Sequence, residues 1–259
     1  MPGESDEIRP AGHACVTVGL AVLLGQVGPV GCLGSPRRFS GRPAVSLLWG
    51  RGTSQSPRVD TWIADGDYEQ IEQSGLELTE VSAPGARFLD CTLASSVITG
   101  GDLEGSTWRG GGLRQVRFVG TQLARSVWHG LDLDGCALSG VELFGSRLRK
   151  IVFRSGMLQG VNLRQARLED VVFEDCVLRD VDLGAASLQR VSFPGCRIER
   201  MDLTGMTARQ MDLRGARIGI SRGLDRLRGV VIDHGQLMDL APALAAQLGL
   251  EVRSVGDDV

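Results

Sequence analysis

The sequence predicts an all-β solenoid, a chain wound into repeated coils, and three observations lead to that fold class. Apolar residues recur at every fifth position from Phe88 to Ile218, which fits neither the period of roughly 3.6 residues of a helix nor the two-residue alternation of a strand. A small or aliphatic residue stands two positions before most of them. Related residues also recur at 20-residue intervals, as at Phe153, Phe173 and Phe193. Four five-residue units therefore make one coil, with equivalent residues stacked about 4.8 Å apart.

The central positions of the five-residue units form the predicted core. Of the 27 central positions from 88 to 218, 26 hold Leu, Ile, Phe or Trp, and Ala208 is the exception. From residue 131 onward the residues two positions earlier alternate in size, as Val161 and Ala166 do. Each buried Leu or Phe contributes about 1.5–3 kcal/mol to folding, so the stacked column is enough to hold the coil. The core residues of greatest interest are Leu103, Leu123, Leu143, Phe153, Leu163, Phe173, Leu183, Phe193 and Leu203.

The charge and cysteine content argue against several classes of protein. The formal net charge is −3, which gives no strong field toward nucleic acid or a membrane surface, so neither is expected as a direct partner. The six cysteines contain no C-x-x-C pair and the three histidines are far apart, so no metal site is expected. Reduced, mostly buried thiols favour a cytoplasmic location.

No catalytic or cofactor motif is recognisable. There is no nucleophile elbow, phosphate-binding loop or metalloprotease motif. The glycines of "RGGGLRQ", residues 109–115, are predicted to occupy corners of the coil rather than to hold phosphate. A redox pair of Cys176 and Cys196 is disfavoured, since side chains stacked in parallel bridge poorly. The acids Asp102, Glu142, Asp182 and Asp202 are expected to bond corner amides rather than to act as paired catalytic carboxylates. We therefore expect no catalytic residues and no cofactor.

The domain organisation follows from where the five-residue frame begins and ends. Residues 1–58 are rich in Pro, Gly and Ser and lack a sustained period. They are predicted to be a disordered leader or the translation of a misplaced start codon, because the acidic flank "MPGESDEIRP" argues against a signal peptide. Residues 59–85 form a lead-in segment with loose first coils, 86–220 the solenoid, and 221–259 a C-terminal segment.

The C-terminal segment leaves the repeat frame. "LRGVVID" is predicted to be a strand, and Asp233 to cap a helix through "HGQLMDL" that Pro242 stops or kinks before a second short helix. Four leucines are predicted to share one side of these helices: Leu237, Leu240, Leu244 and Leu248. An open coil exposes unpaired strand edges, which a cap would cover. The alternative is a homodimer contact through the same leucines.

Several units resemble those of a known family. "VNLRQ", "ARLED", "VDLGA", "MDLTG" and "MDLRG" resemble the A-[DN]-L-x-x units of pentapeptide repeat proteins, here of the actinobacterial type with a C-terminal strand and helix cap. The resemblance covers residues 86–220. It implies a right-handed quadrilateral parallel β-helix, with the central residue and the residue two before it pointing inward. It also implies a bacterial, non-enzymatic protein, and relatives that dimerise at the C-terminal end.

Two functions are compatible with this sequence. The first is a scaffold that binds another, unidentified protein. The alternative, implied by the resemblance, is a DNA mimic that binds DNA gyrase or topoisomerase, as in quinolone resistance. Against it, residues 76–220 hold 17 acids and 18 Arg or Lys, whereas a mimic needs a phosphate-like field. The densest acidic run, a candidate binding patch, consists of Glu169, Asp170, Glu174, Asp175, Asp180 and Asp182.

Overall fold

The computed structural model describes residues 61–253, and the predicted leader, residues 1–58, lies outside them. These residues form a parallel β-solenoid with one C-terminal helix, which confirms the predicted fold class. In chain order, the strands are β1 (Asp67–Glu69), β2 (Glu72–Ser74), β3 (Glu77–Thr79), β4 (Arg87–Ala94), β5 (Val97–Thr99), β6 (Thr107–Arg114), β7 (Arg117–Val119), β8 (Val127–His129), β9 (Asp132–Asp134), β10 (Ala137–Ser139), β11 (Arg147–Arg154), β12 (Met157–Gln159), β13 (Arg167–Glu174), β14 (Val177–Arg179), β15 (Ser187–Ser192), β16 (Arg197–Glu199), β17 (Met201–Asp202), β18 (Thr207–Asp212) and β19 (Ile220–Arg222).

Strands pair in parallel over the repeats, and each residue pairs with its equivalent in the next coil. The pairs between β11 and β13 join Arg147 to Arg167 and Phe153 to Phe173. The first sheet follows the order β1-β4-β6-β8-β11-β13-β15-β18, one strand per coil, and the second follows β16-β14-β12-β10-β7-β5-β3. The pairing of β1 with β4 extends the register back into the predicted lead-in segment.

The coil has four sides. Positions 87–89 and their equivalents in the other coils make up face 1; in the same way, positions 92–94 define face 2, positions 97–99 define face 3, and positions 102–104 define face 4. The long strands cross from face 1 to face 2, so that the first half of β11 pairs with β8 and the second half with β9. Face 4 is joined mainly by single bridges between equivalent residues of adjacent coils, such as Asp102 to Gln122.

The core is a set of stacked columns. Phe153, Phe173 and Phe193 stack with ring centroids 4.8 and 5.0 Å apart, near the strand spacing, because parallel pairing in register places like on like. All nine core residues singled out from the sequence are buried. A separate column behind face 1 stacks Phe88 on Trp108 at the N-terminal end, and Trp62 packs edge-on against Phe88. The side chains fill the interior of the coil.

The corners explain the abundance of glycine. Every fifth residue from Asp65 to Gly215 has a positive φ, and many of these corner residues are glycine. Glycine adopts this left-handed conformation without the steric cost of a Cβ atom. Of the three glycines predicted at corners in residues 110–112, only Gly110 is one. Gly111 stands two residues before the central Leu113 and pairs with Cys91.

The C-terminal segment differs from its prediction in two respects. The expected strand "LRGVVID" is wrong: Leu224–Leu227 is a 3-10 helix and Val231 makes only a single bridge, to Asp212. Gly229, with a φ of 78°, interrupts the extended backbone there. The second difference is that Pro242 neither ends nor divides the helix, because α1 runs from His234 to Gln247. Proline removes only one backbone donor, and the turns on either side keep their own hydrogen bonds.

The start of α1 is fastened to the last coil. Asp233 is the N-cap, as predicted, and forms a capping box with Gln236. The side-chain amide of Gln236, itself only 5% exposed, donates to the carbonyl oxygens of Leu213 and, at 2.7 Å, of Ala216. Leu240, one turn later, is also buried. The helix therefore covers the final coil and satisfies two of its carbonyl groups.

We expect Gln236→Leu to lower the free energy of unfolding by about 2–3 kcal/mol. The carbonyl of Ala216 loses the amide donor, that of Leu213 keeps only the N–H of Ala216, and the capping-box bond from Asp233 N–H to Gln236 is lost. Thermal unfolding followed by circular dichroism measures the change. Gln247→Leu is the matched control, since Gln247 is exposed at the end of the same helix, and it should leave the midpoint nearly unchanged. Equal midpoints for the two variants would show that the amide does not fasten the helix.

Candidate functional site

The chemistry of the described residues lies on the outer faces of the coil, because the interior is filled. Around each central residue, the neighbours on either side point outward, as Arg147 and Arg149 do around the buried Leu148. Parallel pairing then arranges outward side chains into straight columns along the solenoid. A surface of this kind presents charges at fixed spacing, which suits binding more than catalysis.

Many of the surface charges neutralise one another along these columns. Arginines pair with acids one coil away: Arg87 with Asp67 at 2.5 Å, Arg154 with Glu174 at 3.4 Å and Arg179 with Glu199 at 2.7 Å, and likewise Arg190 with Asp170 and Arg200 with Asp180. The hydrogen bond from Arg190 lowers the pKa of Asp170, and that from Arg200 lowers the pKa of Asp180. These carboxylates stay ionised near neutral pH and act as fixed charges rather than as proton donors.

The structure does not gather the candidate acidic patch on one face. The run from Glu169 to Asp182 wraps most of the way around one coil: Glu169 lies on face 1, Glu174 on face 2 and Asp182 on face 4. Asp170, Asp175 and Asp180 occupy corners between faces. Five of the six form ion pairs with arginine, while the backbone N–H of Asp175 donates to the carbonyl of Pro194. A dense run in the chain is therefore not a dense patch on the surface.

Three of the four acids on face 4 bond backbone amides at the turns of the coil, as predicted, and Glu142 does not. Asp102, Asp182 and Asp202 each accept a hydrogen bond from the backbone N–H two residues later, at 2.9, 2.7 and 2.8 Å. Glu142 accepts instead from the side-chain amide of Asn162, at 2.6 Å. These side chains stabilise the local turn or each other, which accounts for their place in the repeat.

The thiols of the described residues are buried structural groups. Cys91, Cys136, Cys176 and Cys196 are free and buried, whereas Cys15 and Cys32 lie outside the described residues. Burial raises the pKa of Cys136 to about 11. The neighbouring Cys176 thiol, and then burial, raise the pKa of Cys196, whereas the hydrogen bond with Cys196 lowers the pKa of Cys176. A thiol with a raised pKa carries little thiolate at neutral pH and is a poor nucleophile.

The four C-terminal leucines are divided between two environments. Leu240 is buried against the solenoid and Leu244 is half-buried. Leu237 and Leu248 are 47% and 75% exposed. Met238, which the sequence reasoning did not single out, is also exposed. The helix thus covers the last coil with one side and presents apolar side chains to solvent on another.

The structure also reveals a depression on face 1 that the sequence analysis missed. It has a volume of about 460 Å³ and is lined by Arg109, His129, Arg147, Arg149 and Arg167. His129 is the last residue of β8, and the next residue, Gly130, is the corner. The available signal was the equivalent position of Arg147 and Arg167 in adjacent coils, which places one directly on the other.

Clusters of metal-ligating side chains and membrane-spanning helices are both absent from residues 61–253. Within that range, no group of three or more His, Cys, Asp or Glu side chains is arranged to hold a metal ion. Within the same range, no helix combines the length and the apolar character needed to cross a membrane.

Comparison with known proteins identifies the repeats. Residues 146–222 match the family model described as a pentapeptide repeat region. Among curated proteins, none matches the chain. Solved structures that resemble it include full-length QnrB1, a plasmid-mediated fluoroquinolone resistance protein, at 17% identity and a TM-score of 0.46, covering 69% of this chain and 100% of QnrB1. HetL, a pentapeptide repeat protein involved in heterocyst differentiation regulation from the cyanobacterium Nostoc sp. strain PCC 7120, is also 17% identical, with a TM-score of 0.26, covering 65% of this chain and 92% of HetL.

Proposed function

Because this chain carries the repeats of the pentapeptide repeat family, confirmed over residues 146–222, we propose that it is a non-enzymatic scaffold that binds another protein. One observation supports the proposal most. The buried columns fill the coil, and the charged groups stand in straight columns on its outer faces. Side chains about 4.8 Å apart along each fixed column offer a rigid pattern for a complementary protein surface. The free buried thiols favour the cytoplasm as the place where it acts.

The chemistry of the titratable groups also supports a binding role. The pKa of Asp170 and of Asp180 is lowered by arginine, whereas burial raises that of Cys136. General acid–base catalysis works best with a pKa near the working pH, and nucleophilic catalysis needs an activated thiol or hydroxyl. The pKa shifts of Asp170, Asp180 and Cys136 therefore meet neither requirement.

The surface charge favours the scaffold over the DNA-mimicking, gyrase-binding alternative. A DNA mimic requires a continuous negative field like that of phosphates. Here the acids of the candidate patch are spread around the coil, and five of the six pair with arginines. Their charges are compensated within a few ångströms, which leaves no phosphate-like column on that part of the surface.

The scaffold proposal is tested by mapping a partner onto one face. Four variants each replace one exposed or partly exposed outward side chain: Arg167→Ser on face 1, Arg114→Ser on face 2, Met157→Ser on face 3 and Arg164→Ser on face 4. Proteins retained from a lysate of the source organism are then compared by quantitative mass spectrometry. We expect one partner to be lost with a single variant and kept by the other three. Equal retention of every protein by all four variants and the wild type would contradict a face-specific scaffold.

We also propose that the exposed side of α1 joins two copies of the chain. Leu237, Met238 and Leu248 present apolar surface to solvent, and burying it against a second copy would remove it from water. Light scattering should show a dimer whose mass falls to that of the monomer in the Leu237→Ser/Leu248→Ser variant. Met157→Ser, which alters an exposed apolar residue away from the helix, should remain dimeric. A wild-type monomer up to millimolar concentration would refute this contact.

A further inference from the structure

Face 1 carries a group of arginines that the ion-pair columns leave without partners. Among residues 61–253, Arg109, Arg147 and Arg167 have no carboxylate within ion-pair distance, and neither does Lys150 at the adjoining corner. The three arginines line the same depression. We define the basic groove as this depression with its lining residues and Lys150.

Two of these arginines lie directly above one another. Arg147 and Arg167 are register partners in the pairing of β11 with β13, and like charges opposite each other in a ladder are destabilising. Other columns on this surface avoid the conflict by alternating charge, as Arg87 over Asp67 does. Arg197 and Arg217 also stack, but Arg197 pairs with Glu199 at 2.6 Å. An anion between Arg147 and Arg167 would relieve the repulsion.

The remaining lining residues strengthen the positive field of the basic groove. Arg149 lies beside Arg147 on β11 and reaches Glu169 at 3.5 Å. Glu169 is shared with Arg190, at 2.9 Å, so its charge is divided between two guanidinium groups. Asp170 is held by Arg190 as well. Five permanent cations, those of Arg109, Arg147, Arg149, Lys150 and Arg167, therefore face two carboxylates, Glu169 and Asp170, both of which already pair with Arg190.

The shape of the basic groove comes from short side chains between long ones. Val127 is half-buried and lies between Thr107 and Arg147 in the same column. At the neighbouring corner, Gly110 and Gly130 add no side chain. The long arginine side chains rise beside this low floor, which is partly apolar. A ligand can therefore contact the floor with its backbone or an apolar side chain while its anionic groups meet the guanidinium groups.

We propose that the basic groove binds a short acidic segment of a partner protein, with carboxylates at alternate positions. This inference rests on the proposed scaffold function and assigns it a face. Arg147 and Arg149 are two residues apart on one strand, so their outward side chains leave the backbone about 6.6 Å apart. An extended Glu-x-Glu segment spaces its carboxylates in the same way. Each carboxylate can accept two parallel hydrogen bonds from one guanidinium group.

The dimensions favour a protein segment over a nucleic acid. The cations span four coils from Arg109 to Arg167, about 14 Å at strand spacing. Acids flank the basic groove at both ends, Asp90 before it and Asp170 after it. Nonspecific binding to DNA commonly draws on about 6–10 phosphate contacts along the backbone. Five cations between two acidic borders suit a few carboxylates better than a long phosphate backbone.

The test uses the full chain and a fluorescein-labelled peptide of alternating Glu and Ser residues. Fluorescence anisotropy should show saturable binding that Arg147→Gln/Arg167→Gln weakens about tenfold or more, because two charge-assisted contacts are lost. Arg114→Gln/Arg117→Gln is the matched control. It removes the same charge from two exposed arginines on faces 2 and 3 and should change Kd less than twofold, within the small effect expected of screened distant charges. Equal losses in both variants would reduce the binding to nonspecific attraction and overturn the proposal.

Three further outcomes decide between explanations. Tighter binding of a single- or double-stranded oligonucleotide of matched charge, lost in the same variant, would show a nucleic-acid site instead. The Arg147→Gln/Arg167→Gln variant should unfold at the same temperature as the wild type or higher, because it removes a repulsion. A lower midpoint would show that these arginines support the coil rather than a ligand. If the peptide fails to bind while a partner maps to another face, the scaffold proposal stands and the basic groove is refuted.

Discussion

Leu163→Asp should destabilise the solenoid by roughly 5 kcal/mol or more. The substitution removes a buried apolar side chain and places an unpaired carboxylate among the remaining apolar side chains of the core. Leu163 is 2% exposed and lies in the central column of face 4, between Leu143 and Leu183. Among residues 61–253 no buried side chain carries a compensating charge, so the carboxylate must take up a proton or force the coil open. Each coil rests on its neighbours, and the damage should therefore spread.

Thermal unfolding followed by circular dichroism measures this loss. The midpoint should fall steeply, or a separate transition should appear at low temperature as the coils around Leu163 melt. Gln165→Asp is the control two residues away. Gln165 is an exposed corner residue with a φ of 57°, and aspartate itself occupies that position at Asp170 and Asp175. Similar midpoints for the two variants would contradict the inward orientation of the central residue.

Gly111→Ala should also be severely destabilising, by about 3 kcal/mol or more, although it adds only one methyl group. A Cβ atom at Gly111 would lie 2.0 Å from the carbonyl oxygen of Cys91 and 2.7 Å from its carbonyl carbon. These are backbone atoms of the preceding coil, paired in register with Gly111, and they cannot move aside as a flexible side chain would. The φ of 81° adds the left-handed penalty of an L-residue.

Gly120→Ala separates the steric clash from the backbone conformation. Gly120 has a φ of 64°, and a Cβ atom there would meet nothing within 4 Å. Only the left-handed penalty of about 1–2 kcal/mol should apply, and non-glycine residues already occupy many equivalent corners. Both variants are compared by denaturant unfolding. A Gly111→Ala protein as stable as Gly120→Ala would show that the two coils do not approach as closely as the structure has them.

The inside of the solenoid could be predicted from the sequence because it depends on a local pattern repeated many times. The five-residue spacing identifies the central positions, and the regular recurrence of Phe153, Phe173 and Phe193 identifies the column in which they stack. Each unit constrains its neighbours in the same way, so one irregular unit such as the one around Ala208 does not alter the outcome. Gly111 shows the limit of this reasoning, because its requirement comes from a close approach between coils.

The outside was harder to predict, because neighbours on the surface are separated in the chain by a whole coil. The acidic run from Glu169 to Asp182 is dense in sequence, yet it winds around the coil and meets arginines from the coils before and after it. Reading charges by their position in the coil would have found the pairing of Arg190 with Asp170. The basic groove escaped notice for the same reason, since its arginines come from separate coils.

The sequence by itself determined the solenoid, its frame and the residues that fill its axis, since a periodic apolar pattern has only one way to bury every unit. Only the tertiary structure decided which charges neutralise each other, which arginines remain unpaired and how the end is closed. Those features depend on contacts made once, such as the bonds from Gln236 to Leu213 and Ala216. A contact that occurs once produces no repeating pattern in the sequence, so only the side-chain geometry of the folded chain determines it.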